Sequence, residues 1–240
     1  MASWLVTEAP SRFEELAVPE AVKQTLLSTS TSVDPPHLLI TGPAGVGKTA
    51  CWRLFARQIL GPGWKSTTHI LQARDLARQR GAMATFEEFL RPSGSEKDTL
   101  AGRTSLDAFD RGISISNPEE VAPAGSEVEV KIGTIPISRL IVIEDADHLG
   151  HIRQAYLRRM METVGAASRF VLIARAPSRI IDALRSRSQM IRIPSTGRDI
   201  ITTTLSEIAE RNGCEPADGV LEDIAYISDG NLKKAIFTLE

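Results

Sequence analysis

The chain has 240 residues, room for one large domain and a small companion, and its 42% hydrophobic and 24% charged content is that of an ordinary globular protein. A net charge of −2 excludes nucleic-acid binding through overall charge, so any DNA contact has to come from a local basic surface. Two distant cysteines (Cys51, Cys214), no signal-peptide pattern and no run near the ~20 apolar residues that cross a bilayer lead to the expectation of a cytoplasmic protein without disulfide framework or zinc site.

Apolar residues at helical spacing predict a helix from Glu14 to Leu27, and the polar stretch from Ser28 to Pro36 reads as a loop. His37 to Thr41 is a short buried strand, followed by a glycine-rich turn and a helix from Thr49 to Leu60 that Gly61-Pro62-Gly63 stops. Thr67 to Ala73 reads as the next strand. From about 81 to 136 no period is sustained, so this stretch is expected to be an irregular insertion, partly helical at Phe86 to Leu90 and Leu106 to Phe109. Arg139 to Ile143 is a continuous apolar run typical of a strand buried on both faces. A helix from His151 to Val164 and strands at Arg169 to Ala174 and Met190 to Ile193 follow. Beyond Pro194, Arg198 to Arg211, Val220 to Ile227 and a segment starting near Asn231 read as amphipathic helices. The alternation predicts an α/β domain over 1–194, its parallel sheet covered by helices on both faces, and a small all-helical lid over 195–240.

The turn Gly42-Pro43-Ala44-Gly45-Val46-Gly47-Lys48-Thr49-Ala50 is a complete phosphate-binding loop in the required strand–loop–helix context. Its glycines let successive N–H groups turn inward to form an anion nest, and the following helix adds its N-terminal dipole. Lys48 can then reach the β- and γ-phosphates, and the Thr49 hydroxyl can hold Mg²⁺, so ATP with Mg²⁺ is the expected ligand. Later in the sheet, Glu144 and Asp145 end a strand. One carboxylate (Glu144) can hold the magnesium through water, and the next (Asp145) can orient the attacking water.

These residues resemble the AAA+ clamp loaders, in particular the archaeal replication factor C small subunit and its divergent second form. Trp4 and Pro10 resemble the family's opening segment, Gly42 to Thr49 its Walker A motif, and Gln154-Ala155-Tyr156-Leu157-Arg158-Arg159-Met160-Met161-Glu162 its Gln-x-x-Leu-Arg-Arg-x-Met-Glu helix. Ser186-Arg187-Ser188 is similar to its Ser-Arg-Cys motif, and Gly230 to Ile236 to its lid segment, with Lys233 at the sensor-2 position. The resemblance implies a subunit that binds ATP and helps load a sliding clamp onto primer–template DNA. It also implies other clamp-loader subunits as partners, sequence-independent contact with double-stranded or primer–template DNA, and a trans-acting Arg187 that serves a neighbour's ATP. Arg153, Arg158 and Arg159 would track DNA phosphates, although Arg158 is also spaced to pair with Glu162 on one helix face.

Departures from the family pattern cluster at the catalytic positions. The acids occur as Glu144-Asp145, the reverse of the family order, and a second acid shorter by one methylene sits back by about 1.5 Å, a misplacement that can cost ~10²-fold in rate. Arg175 stands where the family has an asparagine, Lys233 where it has an arginine, and Thr7-Glu8-Ala9 where it has Lys-Tyr-Arg. Weak or absent hydrolysis is therefore the expectation. The stretch Met83 to Leu90, with Phe86 and Phe89, is the candidate clamp-touching tip. The helical collar that the family carries after its lid is not expected within these residues. A free-standing AAA+ ATPase, such as a branch-migration motor, and a static nucleotide-binding structural subunit are the alternative readings.

Overall fold

A computed structural model describes residues 3–91, 99, 122–125, 136–163 and 167–240. Five strands form one parallel sheet: β1 (His37–Thr41), β2 (Thr68–Gln72), β3 (Arg139–Glu144), β4 (Ser168–Ala174) and β5 (Ser188–Arg192), in the order β2-β3-β4-β1-β5. The apolar runs foreseen in β1, β3 and β4 lie inside the sheet, where side chains alternate between two covered faces. Leu38, Ile40, Leu140, Val142, Val171 and Ile173 enter one core, while Leu39, Ile141, Ile143, Phe170 and Leu172 enter the other.

The helices, numbered along the chain, are α1 (Trp4–Thr7), α2 (Glu20–Ser30), α3 (Lys48–Leu60), α4 (Trp64–Thr67), α5 (Ala73–Leu76), α6 (Ala82–Leu90), α7 (Gly150–Thr163), α8 (Asp182–Arg185), α9 (Arg198–Arg211), α10 (Val220–Ser228) and α11 (Leu232–Leu239). The first face is covered by Val22 and Leu26 of α2 and by Cys51, Trp52, Leu54 and Phe55 of α3. The second is covered by Phe86, Phe89 and Leu90 of α6, Leu157 and Met161 of α7, and Leu184 of α8. Cys51 is one of these packing residues, and burial pushes its thiol up to about 12, so it is chemically inert.

Two expectations are corrected. The helix foreseen at Glu14–Leu27 begins only at Glu20, after Pro19, and continues to Ser30. Residues 13–15 form a separate 3₁₀ turn. Leu16 and Val18 are buried without being helical, and it is their burial that imitated a helical period. The aromatic pair Phe86 and Phe89 is 0% and 3% exposed, so it belongs to the core and cannot tip a clamp-contacting surface. The expected turn at Leu106–Phe109 lies outside the described residues.

The three last helices build their own core from Ile201, Leu205, Ile208, Ile224, Ala235 and Ile236, with Trp4 and Leu5 of α1 packed against it. This lid is fastened to the sheet domain at the phosphate loop, where the Lys233 N–H donates to Gly45 O at 3.0 Å.

Candidate functional site

The phosphate loop leaves the C-terminal end of β1 at Gly42. Gly42, Gly45 and Gly47 have φ of 153°, 75° and 89°, which side-chain-bearing residues rarely adopt. At Gly42 space adds to the constraint: a Cβ there would lie 2.2 Å from Ile193 O. Val46 is 1% exposed and pins the loop to the core, while Gly47 is the N-cap of α3, so that Lys48 and Thr49 open the helix. Exposed N–H groups of a helix start thus face the loop's concavity.

The Lys48 ammonium donates to Gly42 O at 2.8 Å and to Pro43 O. Its pKa is lowered, first by burial and next by the Arg175 guanidinium, against the pull of Asp145 and Asp147. Arg175 follows Ala174, whose carbonyl accepts the Gly42 N–H at 3.3 Å, so the position that replaces the family's asparagine borders the loop. Lys48, Arg175, Asp145 and Asp147 thus share one electrostatic neighbourhood at the C-terminal ends of β1, β3 and β4.

Glu144 ends β3. It accepts from the Trp52 indole N–H at 3.3 Å and from the Gln72 amide. Asp145 has the left-handed φ of 52° and faces Arg74 Nε at 3.6 Å. Asp147 Oδ1 is buried and has no hydrogen-bond partner among the described residues. Among those residues no group of three or more His, Cys, Asp or Glu forms a metal cage by itself. A magnesium ion fits this donor set in the way it ordinarily binds, through a hydroxyl and one or two carboxylates completed by phosphates and water. Thr49 and Glu144 are the residues that would hold it, and the orphaned Asp147 oxygen is an additional acceptor nearby.

Beside Val46, Gly47 and Ala50 opens a cleft of about 620 Å³, also lined by Val6, Glu8 and Ile208, which is the size of a small-molecule site. Glu8 closes its edge by accepting from Arg211 Nε at 2.7 Å and Asn212 Nδ2 at 3.0 Å. The Thr7-Glu8-Ala9 segment that departs from the family pattern is therefore tied to the lid.

Arg187 lies elsewhere. β5 runs parallel to β1 with Ser188 beside His37 and Arg192 beside Thr41. Arg187 thus lies just before the start of the strands and Gly42 just past their end, roughly 20 Å away at ~3.3 Å per residue. Its guanidinium bonds Glu162 at 2.5 Å and Ala183 O at 2.8 Å. Glu162 also accepts from Arg158 Nε at 3.1 Å, so the helix-face pairing foreseen for Arg158 is present. Those contacts, Arg158 first, lower the Glu162 carboxyl's pKa. Arg153 folds back on Leu149 O at 2.8 Å, while Arg159 is exposed on α7. Lys233 contributes its backbone N–H to Gly45, and its side chain is exposed.

Three positioning contacts escape sequence reasoning. Trp52, a core residue of α3, bonds Glu144, and Gln72 reaches the same carboxylate because β2 pairs with β3 in the register Gln72 to Glu144. Gln154, 2% exposed, donates to Arg179 O at 2.9 Å and accepts from Ile181 N–H at 2.8 Å, fastening α7 to the segment that leads to Arg187. A glutamine on the buried face of an amphipathic helix was the one available signal.

A parallel sheet with its phosphate loop at the C-terminal edge and a helical lid bonded to that loop define a P-loop ATPase fold of the AAA+ class. The same fold is found in the RuvB Holliday junction branch migration motor of Thermotoga maritima, with a TM-score of 0.62 and 16% identity over 96% of this chain and 63% of that one. In sequence the chain is similar to replication factor C subunits. It is 30% identical to replication factor C small subunit 2 of Pyrobaculum islandicum over 237 residues, and 32% identical to replication factor C subunit 5 of Schizosaccharomyces pombe over 247 residues. Each match covers 99% of this chain but only 62% and 64% of the relative, so the chain spans just under two thirds of their length. No protein-family model matches it. Among the described residues no helix is long and apolar enough to cross a membrane.

Proposed function

We propose that this chain is a clamp-loader subunit that binds ATP with Mg²⁺ and, in a ring with related subunits, helps place a sliding clamp on primer–template DNA. The observation that carries this is the 30–32% identity to replication factor C subunits over 99% of the chain. The 16% identity to the branch-migration motor supports only a shared fold.

In this reading Gly42 to Ala50 cradle the phosphates, Lys48 neutralises the β- and γ-phosphates, and the lid reports their presence through the contact of Lys233 with Gly45. Magnesium, when bound with the nucleotide, screens phosphate charge. Asp145 is the candidate for orienting the attacking water, but its ion pair with Arg74, its shorter reach and the cation at Arg175 all favour slow turnover. ATP then serves chiefly as a conformational latch. Arg187, too far from its own loop, acts on the ATP of a neighbouring subunit, with Glu162 holding it in the meantime. Arg153, Arg158 and Arg159 on α7 meet DNA phosphates, which compete with Glu162 for Arg158.

The test is co-purification with replication factor C-type subunits and their clamp, with and without ATP. Mixed rings that bind primer–template DNA, with a salt slope shallower by about 2 when Arg158 and Arg159 are both changed to Ala, are expected at ~0.9 per phosphate contact. Homohexamers with robust ATPase would instead favour a free-standing motor.

A further inference from the structure

Glu144, the carboxylate assigned above to magnesium through water, is gripped by two side chains that carry no charge. The Trp52 indole donates to Oε1 at 3.3 Å and the Gln72 amide to Oε2. They come from different layers. Trp52 lies three residues beyond Thr49 on the phosphate-loop helix and is 1% exposed, whereas Gln72 is the register partner of Glu144 at the end of β2. An ionised carboxylate has about four acceptor positions, so two N–H donors fix its plane and leave roughly two for water. A lysine or arginine in either place would also neutralise the group. Trp and Gln set orientation and leave the charge available.

The Trp52 bond also joins the two residues that would share the ion. Thr49 lies in the first turn of α3 and Glu144 ends β3, and the indole of the next helical turn is a direct polar link between those elements. Groups that hold a metal's carboxylate in this fashion commonly govern metal affinity by ~10–100-fold.

From this geometry we infer that Trp52 and Gln72 are positioning residues that fix Glu144 for magnesium-bound water, and that they set the magnesium affinity of the ATP complex. The inference rests on the ATP–magnesium reading above. It is tested on the full chain with Trp52→Phe and Gln72→Met, titrating Mg²⁺ against binding of a fluorescent ATP analogue and repeating the binding in excess EDTA. Each variant should raise the half-saturating Mg²⁺ concentration ~10-fold or more, while metal-free nucleotide affinity stays within about twofold. Indole emission should respond to Mg²⁺ in the ATP-loaded wild type and lose that response in Trp52→Phe, which keeps Trp4 and Trp64. Trp52 is deep in the core, so Gln72→Met, half-buried at a strand end, provides the independent variant. An unchanged Mg²⁺ midpoint in folded Gln72→Met, or equal loss with and without metal, overturns the positioning role. Lys48→Ala separates the two levels: if it binds the analogue as tightly as wild type, the ATP reading itself fails.

Discussion

Gly42 and Gly47 differ in what they demand, although both belong to one motif. A side chain at Gly42 meets the Ile193 carbonyl at 2.2 Å, and that carbonyl belongs to a backbone segment anchored by the Ile193 N–H to Thr41 O bond at 2.8 Å. At Gly47 nothing lies within 4 Å, so only the left-handed backbone resists substitution. Gly47→Ala should therefore cost ~1–2 kcal/mol, whereas Gly42→Ala should cost clearly more and displace the loop. Urea unfolding with a parallel nucleotide titration measures both. The glycine spacing made this loop legible in the sequence because the motif is local. The grip on Glu144 was not, since it depends on a register between β2 and β3, strands separated by more than 60 residues of chain.

Two histidines give the fold a pH dependence. Burial, seconded by Arg169 at His37 and by Arg139 at His69, lowers both rings to about 4 from an ordinary value near 6.5. The His37 ring is held neutral as an acceptor of the Phe170 N–H at 3.1 Å. With folded pKa values below the unfolded ones, the neutral rings contribute stability fully above pH ~6.5, and it is lost as pH falls toward about 4. Melting temperature should drop across that window, and His37→Asn with His69→Gln should flatten the slope.

At the level of elements, the strands and most helix starts were legible, with β5 beginning two residues earlier than foreseen and α2 and α6 the helices whose starts were misplaced. Arg139 to Ile143 announces a central strand because both its faces are covered, so burial writes itself as an unbroken apolar run. The start of α2 was misplaced because Leu16 and Val18 bury from an irregular segment, and apolar spacing alone does not distinguish the two. The aromatics of α6 show the same ambiguity with a functional consequence. Phe86 and Phe89 looked like an interaction tip, but they fill the core between α7 and the sheet. Arg139 reinforces this placement by donating to Phe89 O and Arg91 O at the C-terminal end of α6, where a cation suits the helix dipole. Phe86→Ala should accordingly cost ~3–5 kcal/mol in chemical denaturation, the loss expected of a buried ring and the cavity it leaves. A cost below about 1 kcal/mol would restore the surface assignment.

For the whole molecule, the parallel sheet sorts the candidate residues by strand end. Lys48, Glu144, Asp145 and Arg175 gather at the C-terminal edge, where open α/β sheets place ligands. Arg187 immediately precedes β5 at the other end of the strands and cannot reach its own phosphate loop. That separation makes a sharp expectation for Arg187→Ala: ATP affinity of the isolated chain stays within about twofold, while ATPase of an assembled ring falls by as much as ~10³-fold. A fall in the chain's own affinity, or an unaffected ring, would contradict a trans-acting role. The Ser186-Arg187-Ser188 and lid motifs could be found in the sequence, but their arrangement around opposite edges required the strand order. The lid adds a further whole-molecule feature, since Lys233 N–H and the Asn231 side chain meet Gly45, and Glu8 bonds Arg211 and Asn212 across the cleft.

The account depends most on the phosphate loop being a working nucleotide site. Isothermal titration of Mg·ATP into the purified chain and into Lys48→Ala tests it directly. Saturable one-to-one binding by the wild type, weakened ~30-fold or more in the variant by loss of charge-assisted bonds to phosphate, is the predicted result. No saturable binding, or equal affinity in both proteins, would contradict it.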